Sequence, residues 1–221
     1  MARVEYQQQL ADLRENVVSM SDLVLERYED ALNALENKDE TLAREVIEGD
    51  AEINERYLEL EGDCIDLFAL QQPVAGDLRF IAASFKIITD LERIGDLATN
   101  LAEYAIAAER DRYPEVDVIH IGTEAGSMVA ESVEAYGTDD ADSAREVAAS
   151  DDRIDQLCLE SSDAVVADLL RTDYGDEATD VMDDVSRLLL TVRDLERVGD
   201  HAVNICARTV YMTDNDTELI Y

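Results

Sequence analysis

The sequence predicts an all-α protein built from two tandem three-helix bundles, and three observations lead to this prediction. Only two prolines and nine glycines interrupt 221 residues, so long helices can form. No stretch shows the alternating pattern of a strand, whereas apolar residues recur at helical spacing. One segment also occurs twice, because residues 90–100 (DLERIGDLATN) and 194–204 (DLERVGDHAVN) are identical at eight of eleven positions. A duplicated unit of about 100 residues explains this better than chance.

A second pair of segments supports the duplication. The tetrapeptide AREV occurs at 43–46 and again at 144–147. Each copy is followed by an acidic stretch, EGDAEIN at 48–54 and ASDDRID at 149–155. Both acidic stretches precede the repeated eleven-residue segment of their own copy. The chain is therefore predicted to consist of two repeats, residues 1–112 and 113–221.

Each repeat is predicted to contain three helices, separated by residues that favour helix ends. In the first repeat the helices span 5–36, 40–70 and 77–110, and in the second they span 115–136, 140–171 and 176–212. Short connections between long helices make neighbours antiparallel. The third helix of the first repeat has apolar residues at the spacing of a packed seam. These residues are Leu91, Ile94, Ala98, Leu101, Ala105 and Ala108.

The composition is strongly acidic and poor in lysine. The chain has 53 Asp and Glu against 18 Lys and Arg, a formal net charge of −35, and only Lys38 and Lys86 are lysines. Such a charge repels itself over a Debye length on the order of 30 Å at 0.01 M salt, which falls to about 3 Å at 1 M. We therefore infer a halophilic source. The same charge argues against partners such as nucleic acids or anionic lipid.

The chain is expected to be cytoplasmic. No run approaches the roughly 18 to 20 apolar residues that span a membrane, so no direct membrane insertion is expected. The first residues, MARVEYQQQL, lack the apolar core of a signal peptide. The cysteines Cys64, Cys158 and Cys206 lie far apart. They are expected to be buried thiols and not a zinc site or a redox pair.

The duplicated segment places oxygen-bearing side chains in a strip along one face of the third helix of each repeat. At about 100° per residue, Glu92, Asp96 and Asn100 lie within about 80° of one another. The apolar seam is centred about 180° away from them. The same strip occurs in the second repeat, as Glu196, Asp200 and Asn204.

Metal binding is one interpretation of these strips, and the solvated surface of a halophilic protein is the other. Carboxylates four residues apart repel each other, and a cation removes this repulsion. The duplication favours metal, because Glu, Arg, Gly, Asp and Asn recur at matching places. Gly95 and Gly199 lie within helices, where glycine costs about 1 kcal/mol relative to alanine. Their presence indicates the close approach of another helix. Oxygen donors allow iron, manganese, nickel, zinc or magnesium as cofactors.

The acidic stretches of the second helices offer further donors at the same four-residue spacing. If the second helix flanks the third, these residues can complete a polynuclear site. They are Asp50 and Asn54 in the first repeat and Asp151 and Asp155 in the second. His201 has no histidine counterpart in the first repeat and is at most an extra ligand. Arg93 and Arg197 are expected to pair with the neighbouring acids or to contact an anion such as phosphate.

Together these segments resemble the PhoU family. DLERIGDLATN and DLERVGDHAVN look like its duplicated signature, and VIEGD at 46–50 and QQPVAGDLR at 71–79 resemble its second-helix and interhelix segments. The resemblance implies two three-helix bundles with pseudo-twofold symmetry, multinuclear metal clusters on the third helices, and a homodimer. It also implies a negative regulator of phosphate signalling, with a phosphate-specific ABC transporter and, in bacteria, a sensor histidine kinase as partners. With the composition, it suggests a family member from a halophilic archaeon. Gln71 departs from the arginine common in the family, and the second repeat lacks the QP…DLR segment.

Two other functions remain open. A PhoU-like accessory regulator of a potassium channel or a sodium–phosphate carrier would have the same fold. A di-iron carboxylate enzyme also uses helical carboxylates, but it needs Glu-x-x-His pairs that face the bundle core, and neither histidine follows a glutamate at that spacing. We therefore expect no enzyme. A homodimer is expected for another reason as well, because one seam cannot cover all the apolar residues of one segment: Phe80, Ile81, Phe85, Ile87 and Ile88.

Overall fold

The structure is a computed structural model that describes residues 3–70, 74–107, 116–172, 174–175 and 178–220. These residues form seven α-helices and no β-strand. The helices are α1 (Arg3–Asn37), α2 (Glu40–Leu70), α3 (Ala75–Ala107), α4 (Val118–Thr138), α5 (Ala141–Ala149), α6 (Asp151–Arg171) and α7 (Ala178–Asp214). The all-α prediction is confirmed. No helix in this part of the chain is long and apolar enough to cross a membrane.

The helices pack as two three-helix bundles, as predicted. In the first bundle α1, α2 and α3 contact one another, and in the second α4 and α7 pack with α5 and α6, which together take the place of α2. The bundles meet where α3 packs on α7 and α1 on α4. The predicted seam residues Leu91, Ile94, Leu101 and Ala105 are buried. Ala108, the predicted helix ends at 110, 115 and 176, and the repeat boundary between 112 and 113 lie outside the described residues.

The turn after the first helix has the same construction in both repeats. Lys38 and Asp139 have φ angles of 53° and 57°, in the left-handed region that commonly ends a helix. The next residue, Asp39 or Asp140, begins the following helix, because its carboxylate accepts hydrogen bonds from the backbone N–H groups two and three residues later. The two turns therefore have the same backbone conformation although their sequences differ, as expected for a duplicated unit.

The prediction of a single helix over 140–171 was wrong. The structure divides this segment into α5 and α6 at Ser150, whose φ and ψ are −79° and −12°. The Ser150 hydroxyl donates to the carbonyl oxygen of Val147 at 2.7 Å, and its own N–H donates to the same oxygen at 3.0 Å. The N–H of Arg153 also donates three residues back, to the Ser150 carbonyl oxygen at 3.1 Å, and this change from four-residue to three-residue backbone bonds interrupts the α-helical ladder. The acidic pair that follows, Asp151 and Asp152, is a sequence signal for a helix start.

The sequence argument for a homodimer was wrong in its premise. Ile81, Ile87 and Ile88 are completely buried, Phe80 is 9% exposed, and Phe85 is half-buried. Contacts of α3 with α1, α2 and α7 surround this helix within one chain. These apolar residues therefore need no second copy to cover them, and the homodimer remains a prediction from the family resemblance.

The three cysteines are buried free thiols, as expected. Burial raises the pKa of Cys64, Cys158 and Cys206 to about 12 in each case. The thiols therefore remain protonated at neutral pH, and protonated thiols are poor metal ligands and poor nucleophiles.

Candidate functional site

On each third helix the acidic strip lies on the face opposite the packed seam. On α3, the side chain of Glu92 is 19% exposed and that of Asp96 is 45% exposed, whereas the neighbouring Ile94 is fully buried. On α7, Glu196 is partly buried and Asp200 is exposed. The structure thus places these four predicted residues on half-open faces, where their carboxylates can meet side chains of a neighbouring helix.

In the first repeat, α2 brings Asp50 and Asn54 to the strip of α3. The Asn54 amide donates to the Asp50 carboxylate at 2.6 Å. Burial, and then the negative charge of Asp96, raise the pKa of Asp50. Burial also raises the pKa of Glu92, and the negative charges of Asp96 and Asp50 raise it further. The predicted flanking of the third helix by the second therefore occurs, and the three carboxylates repel one another.

In the second repeat, α6 brings Asp151 and Asp155 to the strip of α7. Burial raises the pKa of Asp151 to about 6, with further contributions from the charges of Asp155, Asp200, Asp152 and Glu196. The Asp151 Oδ1 atom is buried and has no hydrogen-bond partner. A buried, unpaired carboxylate oxygen among other carboxylates is unfavourable in the isolated chain, and a cation would relieve it.

The two mid-helix glycines allow the close approach that the sequence indicated. A Cβ atom on Gly199 would stand 2.9 Å from the Asp151 Oδ1, and one on Gly95 would stand 3.0 Å from the Cδ1 of Ile53. Any larger residue at these positions would push the second helix or its side chain away. In the second repeat the neighbour is a carboxylate, so Gly199 makes room for Asp151 directly over the backbone of α7.

The two asparagines of the strips contact the opposite repeat. Asn100 donates to the Asp194 carboxylate at 3.3 Å, and Asn204 donates to the Asp90 carboxylate at 3.2 Å. These reciprocal bonds join α3 to α7 about an approximate twofold axis. Asn100 and Asn204 were predicted as metal ligands, but the structure uses their amide nitrogens between the bundles.

Asp90 and Asp194, which the sequence analysis did not single out, accept the hydrogen bonds that join the two repeats. Asp194 is completely buried and accepts hydrogen bonds from the Tyr104 hydroxyl at 2.9 Å and from Arg193 at 2.8 Å. Asp90 is 2.9 Å from the Nδ1 of His201. The available signal was that aspartate begins both copies of the duplicated segment. His201 thus reaches across to the first repeat.

The arginines of the duplicated segment pair with neighbouring acids. Arg93 lies 3.2 Å from Asp96 and 3.5 Å from Glu92, and Arg197 lies 3.6 Å from Asp194. These short-range ion pairs agree with the expected structural pairing. They also offset part of the negative charge at the strip of α3.

The donor chemistry of the two clusters fits a hard or borderline cation, but the donors are not assembled around one point. Carboxylate oxygens dominate both clusters, and the unpaired Oδ1 of Asp151 faces the charges of Asp155, Asp200 and Glu196. Among the described residues, no group of three or more His, Cys, Asp or Glu side chains is arranged so that it could hold a metal ion. Metal binding would therefore require the exposed carboxylates to rotate towards the buried ones.

The fold and its two clusters define a class of protein: a duplicated three-helix bundle that presents carboxylates between the second and third helix of each repeat. The PhoU domain matches this chain twice, at residues 17–105 and 118–209. The phosphate-specific transport system accessory protein PhoU homolog of Pseudomonas aeruginosa is 35% identical over 211 residues, which cover 94% of this chain and 85% of that protein. PhoU homolog 1 of Methanothermobacter thermautotrophicus, also named an accessory protein of that system, is 34% identical over 213 residues, or 95% and 94% of the two chains.

Two crystal structures have the same architecture. PhoU from Pseudomonas aeruginosa superposes with a TM-score of 0.88 at 33% identity, covering 96% of this chain and 100% of that one. The phosphate transport system regulatory protein PhoU from Streptococcus pneumoniae superposes with a TM-score of 0.88 at 28% identity, covering 96% and 98%. The chain belongs to the PhoU family.

Proposed function

We propose that this chain is a regulatory protein of phosphate uptake, which restrains phosphate signalling and transport through contact with a phosphate-specific ABC transporter. The observation that carries the proposal is the family match to both repeats, residues 17–105 and 118–209. The relatives that cover almost the whole chain are named as accessory proteins of a phosphate-specific transport system. The same proposal includes a cytoplasmic location and a homodimer. In a bacterial host it also includes a sensor histidine kinase as a further partner.

The second part of the proposal is that the carboxylate clusters bind metal ions. Asp50, Glu92 and Asp96 would hold metal in the first repeat, with Asn54 beside them. In the second repeat the ligands would be Asp151, Asp155, Glu196 and Asp200. Burial, and then repulsion between the carboxylates, raise the pKa values of Asp50, Glu92, Asp151, Asp155 and Glu196. A bound cation would neutralise this repulsion and would tie the second helix to the third. The metal would then change the shape and charge of the surface that partners contact. In this proposal the regulator catalyses no reaction.

The regulatory proposal is tested by deleting the gene in its native host. Phosphate-starvation genes should then be expressed in phosphate-rich medium, and the wild-type chain supplied from a plasmid should restore their repression. A strain that lacks both the gene and the phosphate ABC transporter is the control, because the regulator should have no effect on phosphate uptake there. Normal repression in the deletion strain would contradict the proposal.

The second candidate is an accessory regulator of a potassium channel or of a sodium–phosphate carrier, because the fold and clusters suit either task. The genes beside this one, together with the double-deletion strain, distinguish the candidates. Altered potassium uptake, or altered sodium-dependent phosphate uptake without the ABC transporter, would favour the second candidate. A di-iron enzyme is disfavoured by the position of the acids, since Asp96 and Asp200 lie on half-open helix faces and not in a bundle core.

A further inference from the structure

Helix α2 has two apolar seams on nearly opposite faces. The inner seam packs into the first bundle and is buried: Ile53, Leu60, Cys64 and Leu67. The outer seam, as we name it, lies about 160° around the helix and is exposed to solvent: Leu58, Gly62, Ile65 and Ala69. Leu58 is 62% exposed and Ile65 is 53% exposed. The 4-3-4 spacing of the outer seam is the spacing by which one helix packs along another.

The described part of this chain supplies nothing to pack on the middle of the outer seam. A Cβ atom on Gly62 would meet no other atom within 4 Å, whereas those on Gly95 and Gly199 would meet neighbours at 3.0 and 2.9 Å. Glycine inside a helix lowers helix stability. Packing within the chain gives no reason for this glycine, but a helix from another molecule can approach the backbone closely where a side chain is lacking.

Acidic side chains border the outer seam on both sides. Glu59 and Asp66 occupy the flank on one side and Glu61 the flank on the other, at positions whose charges select the partner helix in a two-helix contact. Glu59 is 60% exposed and pairs with Arg56 at 3.1 Å. Docking of a second copy of this chain would bring acids against acids at a net charge of −35 per chain. The charges favour a partner with basic flanks.

We propose that the outer seam of α2 is the docking site for an amphipathic helix of a partner protein, one with an apolar face and with Lys or Arg beside it. The inference deepens the proposed regulatory function and rests on it, because a regulator that acts by contact needs such a surface. The apolar side chains of the partner would cover Leu58 and Ile65 and lie over Gly62. Its basic side chains would meet Glu59, Glu61 and Asp66.

The second repeat supplies an internal control. Leu159 and Val166 on α6 stand at the positions that correspond to Leu58 and Ile65, 101 residues later, and are 57% and 44% exposed. The position of Gly62 is taken by Asp163. A docked apolar helix would bury that carboxylate without a partner, which is strongly unfavourable. The docking site is therefore confined to α2.

The test is calorimetric titration of the full-length chain, at the lowest KCl concentration that keeps it folded, with a synthetic helical peptide that has leucine on one face and lysine on the other. We expect one peptide to bind per chain. Leu58→Ser with Ile65→Ser should weaken binding by about tenfold or more. Gly62→Gln should weaken it similarly, while its side chain enters open space and leaves the melting temperature unchanged or raised. The matched double variant, Leu159→Ser with Val166→Ser, should bind as the wild type does.

Several results would overturn the docking site. One is equal binding by the wild type and both outer-seam variants, and another is equal binding of a matched peptide in which glutamate replaces lysine. Loss of self-association in the outer-seam variants would show that a second copy occupies the seam. These measurements use the isolated chain and do not depend on phosphate regulation. If the peptide does not bind but the deletion strain loses repression, the docking site alone is rejected. If the deletion strain keeps normal repression, the proposed function is rejected.

Discussion

The carboxylate of Asp151 lies over the backbone of α7 at Gly199, so close that a Cβ atom at residue 199 would stand 2.9 Å from its Oδ1. The glycine, 48 residues farther along the chain, thereby permits the buried position of this carboxylate. The same oxygen has no hydrogen-bond partner. The structure thus places an unsatisfied acid where the second and third helices of the second repeat meet.

Replacement of Gly199 by alanine should disturb this contact. Alanine in a helix interior is favoured over glycine by about 1 kcal/mol. At residue 199 most of this gain should be lost, because the Asp151 side chain must move. The control is Gly62→Ala on α2, where a Cβ meets open space, and this variant should gain the full amount. The measurement is chemical denaturation of both variants in high salt, and equal gains would contradict the close contact.

Replacement of Asp151 by asparagine should stabilise the metal-free chain at neutral pH. Its pKa is raised from 3.8 to about 6 in the folded state. The folded chain therefore binds this proton more readily than the unfolded chain, and the associated stability is present below pH 3.8 and lost as the pH rises through about 6. Because Asp151 is only half-buried, we expect a gain on the order of 1 kcal/mol at pH 7. The difference in the free energy of unfolding between variant and wild type should shrink towards pH 4 in chelator-treated samples. A difference that does not depend on pH would contradict the raised pKa of Asp151.

Removal of the strip acids should empty the clusters one at a time. Glu92→Ala with Asp96→Ala should abolish metal uptake by the first repeat, and Glu196→Ala with Asp200→Ala should abolish uptake by the second. Both double variants should remain folded, because these side chains lie on the helix face opposite the seam and do not belong to it. Metal content is measured after incubation with iron, manganese or zinc in high-salt buffer without chelator. Equal metal in all three proteins, or none in the wild type, would show that the strips are solvated surface.

The contact between the repeats should depend on Asp194 more than on its partners. Asp194→Ala removes a buried acceptor and leaves the Tyr104 hydroxyl and the Asn100 amide without it. We expect a loss of about 2–3 kcal/mol in the free energy of unfolding. Asn100→Ala should cost less, and it should leave metal content unchanged if its amide serves only between the bundles. A large loss of metal in Asn100→Ala would restore this residue as a ligand.

The folded chain should need salt. With 53 acidic and 18 basic residues, repulsion is unscreened in dilute buffer. The melting temperature should rise between about 0.1 M and 3 M KCl, while a relative with balanced charge, measured in parallel, should change much less. An unchanged melting temperature would contradict the halophilic interpretation.

Much of the architecture could be predicted from local patterns. The seam of Leu91, Ile94 and Leu101 is buried, and Glu92 and Asp96 lie on the opposite face, because the rotation of about 100° per residue determines which side chains share a helix face. Helix α1 ends at Asn37 and α4 at Thr138, within two residues of the predicted ends at 36 and 136. The break at Ser150 escaped prediction, because a local change to three-residue backbone hydrogen bonds leaves the helical spacing of apolar residues in the sequence unaltered.

The sequence by itself determined the duplication, the helices and the composition of each acidic strip, since these depend on residues a few positions apart. Only the tertiary structure decided which strips meet which neighbours. Asn100 and Asp194 are 94 residues apart, and Asn204 and Asp90 are 114 apart. Helical periodicity carries no information about such pairs. The packing of α3 against α7 brings them together. Tertiary packing likewise decides that Ile87 and Ile88 are buried, whereas Leu58 and Ile65 of the outer seam are exposed.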